Sequence, residues 1–317
     1  MLKDKNFTTF EEQIKILKGR NLIIEDEEAT INALKRYGYY NIINGYKDPY
    51  IDTNAPEEKY IRGTTFARIF ALYTLDRDLR SVVMQSMQEV EDHLKAATAH
   101  IVAETYTAEE ALYLNKRNYR QGKKINGSND YSIDQLFRKF DKIINDDNLL
   151  HVKHAREKHG NVPPWILLKE LSFGNIVNFV KLQKGPQKRK ILTLLSGFPE
   201  VLISSNNDVF NLLMDLLFVS LDYRNCAAHG GRLYNFMSKS KFRYNNILHP
   251  IMNISTADYR RGMGKTGIPV LIEALNILDD KKPRSILKEG VDFRIKKHIE
   301  KFPADEEYLS QFLPMPE

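Results

Sequence analysis

The chain has 317 residues, 42% hydrophobic and 28% charged, and 47 Lys and Arg against 41 Asp and Glu give a net charge of +6. This balance fits one large globular domain or two ordinary ones and excludes a disordered or fibrous chain. With 16 Gly and 12 Pro, collagen and a turn-rich β sandwich are excluded, and the single cysteine, Cys226, excludes an internal disulfide and any multi-cysteine metal site.

In chain order, the opening Met1–Lys5 leads to Glu11 and Glu12 without an apolar h-region, so no secretory signal is expected. Thr9–Glu12 reads as a capping box that starts a short helix closed by Gly19. Asp26 caps a second helix that ends at Tyr37–Gly38, and the aromatic, glycine-punctuated stretch 37–50 reads as an ordered loop. From Thr65 to about Glu104 the apolar residues keep helical spacing with no glycine or proline, which predicts one long core helix. Thr107–Glu110 reads as another capping box, 115–129 as a basic surface loop, and Ser132–Gln135 as the cap of a helix running to about His159.

Pro163–Pro164 separates two elements, and Gly185–Pro186 and Gly197–Pro199 bracket a short helix. Asn207–Asp208 is expected to cap the most apolar helix, running from Val209 to about His229 and ended by Gly230–Gly231. Its most apolar stretch is interrupted by Asp215 and is too short to cross a bilayer, so no membrane partner is expected and the location is read as cytoplasmic. Helices near 268–280, 285–300 and 305–312 follow a glycine-rich loop at 262–267. No long alternation of polar and apolar residues is present, and the predicted class is all-α.

The charge is unevenly placed: residues 1–150 carry a net −2 and residues 151–317 a net +8. A polyanion such as nucleic acid would suit the second half, and solvated helix faces explain the same clusters. There is no phosphate-cradling loop, dinucleotide glycine pattern, His-Glu-x-x-His or Gly-x-Ser-x-Gly. His93 and His100 with Glu89 read as the polar edge of a core helix, and His151, His154 and His159 sit among cations that disfavour a metal. No metal or other cofactor is expected.

The segment that stands out is Asp222–Asn235, which places Arg224, Asn225 and His229 at the end of the apolar helix. Arg224 and His229 can edge one oblique groove, and Asn225, four residues before His229, can orient its imidazole. A guanidinium for phosphate and an imidazole that moves protons suit cleavage of RNA through its own 2′-hydroxyl. Spacing alone is weak, because Arg243 precedes His249 in a similar way in a context that looks accidental. Cys226 reads as a small packing residue. Trp165, Ile166, Leu167, Leu171 and Phe173 read as core, and any exposed part of that face is the candidate dimer surface.

With these residues in place, the chain resembles the Abi-like (AbiD/AbiF-type) abortive infection proteins of the HEPN superfamily. The match is carried by TFEEQIKILKGRNL at 9–22 with YGYYNIINGYKDPY at 37–50, LYTLDRDLRSVVMQSMQEVEDHLKAATAH at 72–100, PPWILLKELSFGNIVNFVKL at 163–182 and LDYRNCAAHGGRLYN at 221–235. The resemblance implies an α-helical HEPN fold, and the chain is read as an N-terminal helical and aromatic-loop region over 1–62, a HEPN-like helical core over 63–250 and a C-terminal helical extension over 251–317 that the resemblance does not cover. It also implies a homodimer and a metal-independent endoribonuclease in phage defence or a toxin–antitoxin system, with RNA as substrate and a small cognate RNA as a further partner. By position, Arg224 and His229 match the catalytic pair and Asn225 the polar residue after the arginine. Arg232 and Asn235 match a downstream segment that supports the cleft or holds RNA, and Lys239, Lys241 and Arg243 extend that basic surface. Gly230 departs from the pattern, standing where relatives commonly carry a second histidine or another polar residue. The alternative is a catalytically silent HEPN module that binds RNA or a protein.

Overall fold

The computed structural model describes residues 7–315, so the Met1–Lys5 opening lies outside the described residues. The protein is 67% helical, and among the described residues the only β features are isolated bridges, so the all-α expectation holds. No described helix is long and apolar enough to cross a membrane.

Several helix starts follow the local chemistry. Thr9 and Glu12 close a reciprocal capping box on Phe10–Gly19, and the Asp26 carboxylate accepts from the Ala29 N–H at the head of Glu27–Tyr37. The long helix is continuous from Phe66 to Tyr106. Other expectations need correction. The 37–50 stretch contains a π-type turn at Tyr40–Asn44 and a 3-10 turn at Asp48–Tyr50. Thr107 forms no capping box. The Glu110 N–H donates instead to Asn161 Oδ1, and the Glu110 carboxylate accepts from the Val162 N–H, so tertiary partners displace the local ones.

The helix expected to run to His159 is two helices, Ser132–Ile144 and Leu150–His159, parted where Asp146 accepts from the Asn148 N–H. Tyr131 precedes the first helix as its cap residue, and Ser132 is already helical. Asn206, not Asn207–Asp208, caps the apolar helix Asn207–Ala228, its Oδ1 accepting from the Asp208 and Val209 N–H groups. Asp208 is free of that role because its carboxylate accepts from the Asn246 side chain at 2.7 Å.

The chain forms two compact units, both discontinuous in sequence. The first comprises the described residues up to Ser81, Gly230–Asn235, and the stretch from Glu289 onward. Helices Phe10–Gly19 and Glu27–Tyr37 pack together, burying Ile14, Leu17 and Leu34. Two buried carboxylates organise this unit. Asp76 accepts from Tyr46 Oη (2.6 Å), Arg80 Nη1 (2.6 Å) and the N–H groups of Leu233 (2.8 Å) and Tyr234 (2.6 Å). Asp305 accepts from Arg68 and Tyr50 and contacts His298 Nε2 at 2.8 Å. The phenols of Tyr46, Tyr50, Tyr60 and Tyr234 are buried here, and burial pushes the pKa of each upward.

Burial also pushes the Asp305 carboxyl up, but the bonds from His298 and Arg68 outweigh it and leave the folded pKa below the ordinary value. A lowered carboxyl pKa gives stability that is present above the unfolded value, about pH 4. That contribution is lost as pH falls through the lower folded value. The acid limb of a urea-midpoint-versus-pH curve should therefore flatten in Asp305→Asn, and an unchanged limb would refute this assignment.

The second unit comprises Val82–His229 and Phe236–Lys288. Its centre is the helix Asn207–Ala228, which packs against Phe173–Leu182, Gly185–Ser196, Glu200–Ser205 and Ile268–Ala274. Leu212, Leu213, Leu216, Leu217, Val219 and Tyr223 are buried on it. The acids that interrupt its apolar pattern hold a strap along the helix. Tyr223 Oη donates to the Phe236 carbonyl, Asp222 accepts from the Ser240 N–H, and Asp215 takes a bidentate pair of bonds from Arg243.

Candidate nucleic-acid site

The second unit carries Arg224, Asn225 and His229 on the last turns of Asn207–Ala228, with His229 as its C-cap. Gly230 follows at φ 70°, a left-handed conformation that glycine adopts freely and that costs other L-residues about 1 kcal/mol. The helix stop thus accounts for a glycine at the position where the resemblance leads one to expect a polar side chain. The His229 ring is exposed at the helix end, while Arg224 is half-buried with 28% of its side chain accessible.

Arg224 faces a counter-charge from the long helix. Its Nε lies 3.9 Å from Glu91 Oε2, close enough for charge pairing and too far for a hydrogen bond. Glu91 is buried, and its other oxygen pairs with Lys95 Nζ at 2.8 Å. Lys95 also donates to the Lys169 carbonyl at 3.0 Å. The carboxylate therefore balances the guanidinium without engaging its donors, which stay available to a phosphate. Neither Glu91 nor Lys95 was singled out from sequence. An acid inside the apolar stripe of Met87, Val90 and Leu94 was the available signal.

Replacing Glu91 with glutamine leaves Lys95 and Arg224 as neighbouring cations without a counter-charge. The expected loss is about 1–3 kcal/mol of stability. It is read as a lower urea midpoint that recovers in part at high salt, and a midpoint indifferent to salt would count against it.

Asn225 touches His229 through the backbone, its carbonyl accepting from the His229 N–H at 3.0 Å. Lys239 and Lys241 lie on the strap and are exposed. Arg243, also exposed, commits its guanidinium to Asp215. Arg232 and Asn235 belong to the first unit, where Arg232 Nη1 donates to the Gly45 carbonyl (2.9 Å) and Asp48 (3.0 Å). Asn235 is half-buried.

The remaining histidine readings resolve locally. His249 is fully buried, Nδ1 accepting from the Asn245 N–H and Nε2 donating to the Gly264 carbonyl, so the Arg243–His249 spacing reflects structure. Glu89 pairs with Lys282, away from a shared site with His93 and His100, and His151 contacts Glu170 at 2.9 Å. Trp165 is 55% exposed although Leu167, Leu171 and Phe173 are buried, and it borders a cavity with Lys95, Ala99 and His100.

Comparison with known proteins identifies a family. The family model described as Abi-like protein covers residues 32–235, which includes the Arg224–His229 segment, the long helix and the tryptophan segment. The 9–22 segment and the strap lysines lie outside that span. No curated protein and no solved structure matches the chain.

Proposed function

Because the chain belongs to the Abi-like protein family, we propose that it is an abortive-infection effector whose chemistry is metal-independent RNA cleavage in a HEPN-like core, residues 63–250. In this reading the RNA 2′-oxygen attacks the adjacent phosphorus, the 5′-oxygen leaves, and a 2′,3′-cyclic phosphate remains. His229 takes the proton from the 2′-hydroxyl or returns one to the 5′-oxygen, and Arg224 stabilises the charge that builds on the phosphorane. A homodimer brings two such pairs to one cleft, so that one imidazole acts as base and the other as acid. Exposed Trp165 is the proposed dimer contact. Asn225, Arg232, Asn235, Lys239, Lys241 and Arg243 are proposed to shape the cleft or hold RNA, and a small cognate RNA is a proposed second partner.

The observation that carries this reading is the placement of Arg224 and His229 at one helix end, with buried Glu91 balancing the arginine from 3.9 Å. The test incubates the purified protein with cellular RNA in chelator and maps the new ends. Cyclic phosphate ends that vanish in the Arg224→Ala/His229→Ala variant support it. Identical products from both proteins would sink it. RNA binding without any cleavage would point to the silent-module alternative.

A further inference from the structure

The second unit contains a concentration of positive charge distinct from the Arg224–His229 segment. Arg120, Lys123, Lys139, Lys181 and Lys188 line one cavity of about 530 Å³, and none of its lining residues is a carboxylate. Elsewhere in this unit cations meet acids: Lys190 pairs with Glu104, Arg243 with Asp215, and Lys282 with Glu89. The acids nearest in sequence to the cavity wall are engaged too, Asp134 by Lys116 and Asp130 by Arg138.

Lys188 is the telling member. It is 7% exposed, and its ammonium donates to the Lys181 carbonyl at 2.8 Å. Buried ammonium groups are normally paired with a charge, because desolvation penalises the ion. Here burial, together with the positive charges of Arg120 and Lys181, pushes its pKa down to about 8. At the rim, Lys139 donates to Asn175 Oδ1 at 2.7 Å, which orients a second ammonium. Gly122 lets the loop close on the wall. A Cβ there would meet Leu182 at 2.7 Å and Ser132 at 2.8 Å, and its φ is 79°.

We propose that this cavity binds a compact polyphosphorylated anion, of the size of a nucleoside triphosphate. Five cations lining one cavity without an acid suit a ligand carrying several negative charges, and the volume lies in the range of small-molecule sites. A polymer backbone crossing the mouth reaches the exposed Arg120, Lys123, Lys139 and Lys181. Only a group that enters the cavity reaches Lys188. Dependence on Lys188 therefore separates a small anion from RNA. The proposal is independent of the ribonuclease reading, because its test measures binding alone.

The experiment is calorimetry on the full chain with inorganic triphosphate, ATP and a single-stranded RNA, each at the same salt. Triphosphate and ATP should bind in the micromolar range and weaken at least about tenfold in Lys188→Met and in Lys139→Met/Lys181→Met. RNA binding should be little changed in Lys188→Met. Because a bound anion restores the Lys188 proton, binding at pH 8 should take up about half a proton, seen as a dependence on buffer ionisation heat. No binding of either phosphate at millimolar concentration overturns the proposal. So does binding that ignores Lys188→Met, or an equal loss of RNA and ATP, which would give the site to RNA. If Lys188→Met fails to fold, proton uptake by the wild-type chain decides: triphosphate and ATP should take up about half a proton at pH 8 and RNA none, and equal uptake by all three overturns the proposal.

Discussion

Replacing His229 with alanine should lower RNA cleavage by roughly 10²–10⁴-fold, the usual contribution of a positioned general acid or base. RNA affinity and its salt dependence should stay in place, since His229 sits at an exposed helix end and no packing is lost with it. Arg224→Ala should cost about 10²–10³-fold, on the scale of removing one donor to a transition-state oxyanion. Arg224→Lys keeps the charge but loses the planar fork and should recover only part of the rate. The two losses should not multiply, because residues acting on one transition state behave as a unit. Single-turnover cleavage of a short RNA measures all of these. A His229→Ala protein with wild-type turnover would remove the histidine from the mechanism.

Replacing Asp76 with alanine should destabilise the protein by about 3–5 kcal/mol, the range for breaking a buried charge pair. Three separate penalties converge there. Arg80, only 13% exposed at its side chain, loses its partner. The Tyr46 phenol loses its acceptor, and the Leu233 and Tyr234 N–H groups become buried orphans. Those two N–H groups belong to the residues just after Gly231, whose carbonyl accepts from Arg80 at 3.3 Å. Asp76 thus fixes the chain immediately downstream of the Arg224–His229 segment. Asp76→Asn keeps one acceptor oxygen and should lose less. A urea-derived unfolding free energy for Asp76→Ala within about 1 kcal/mol of wild type would show that this knot carries little stability.

Local chemistry made part of this legible in advance. Uninterrupted apolar spacing located the long helix, and the Gly230–Gly231 stop located the exposed end that displays His229. Capping predictions succeeded where the competing partners were also local, as at Thr9, and failed at Thr107, where Asn161 and Val162 arrive from a distant segment. The same physics hid Glu91. From sequence its neighbour is Lys95 one turn on, whereas Arg224 approaches from another helix. Lys188, Arg189 and Lys190 are three consecutive cations in the sequence. In the fold its members part company: Lys188 lines a cavity, Arg189 approaches Glu200 at 3.8 Å, and Lys190 pairs with Glu104. Net charge counts side chains and says nothing of their partners, and some cations of the +8 half are balanced by acids of the other half, Lys190 by Glu104 and Lys282 by Glu89.

The buried phenols of the first unit give the protein an optical reporter at alkaline pH. Tyr46, Tyr50, Tyr60 and Tyr234 hold their protons beyond the usual range, so phenolate absorbance from them requires the unit to open. A raised acid pKa stabilises the fold below about pH 10 and withdraws that support as pH climbs. Ionisation of these four phenols is therefore linked to opening of the unit, and their share of the absorbance change near 295 nm follows that opening.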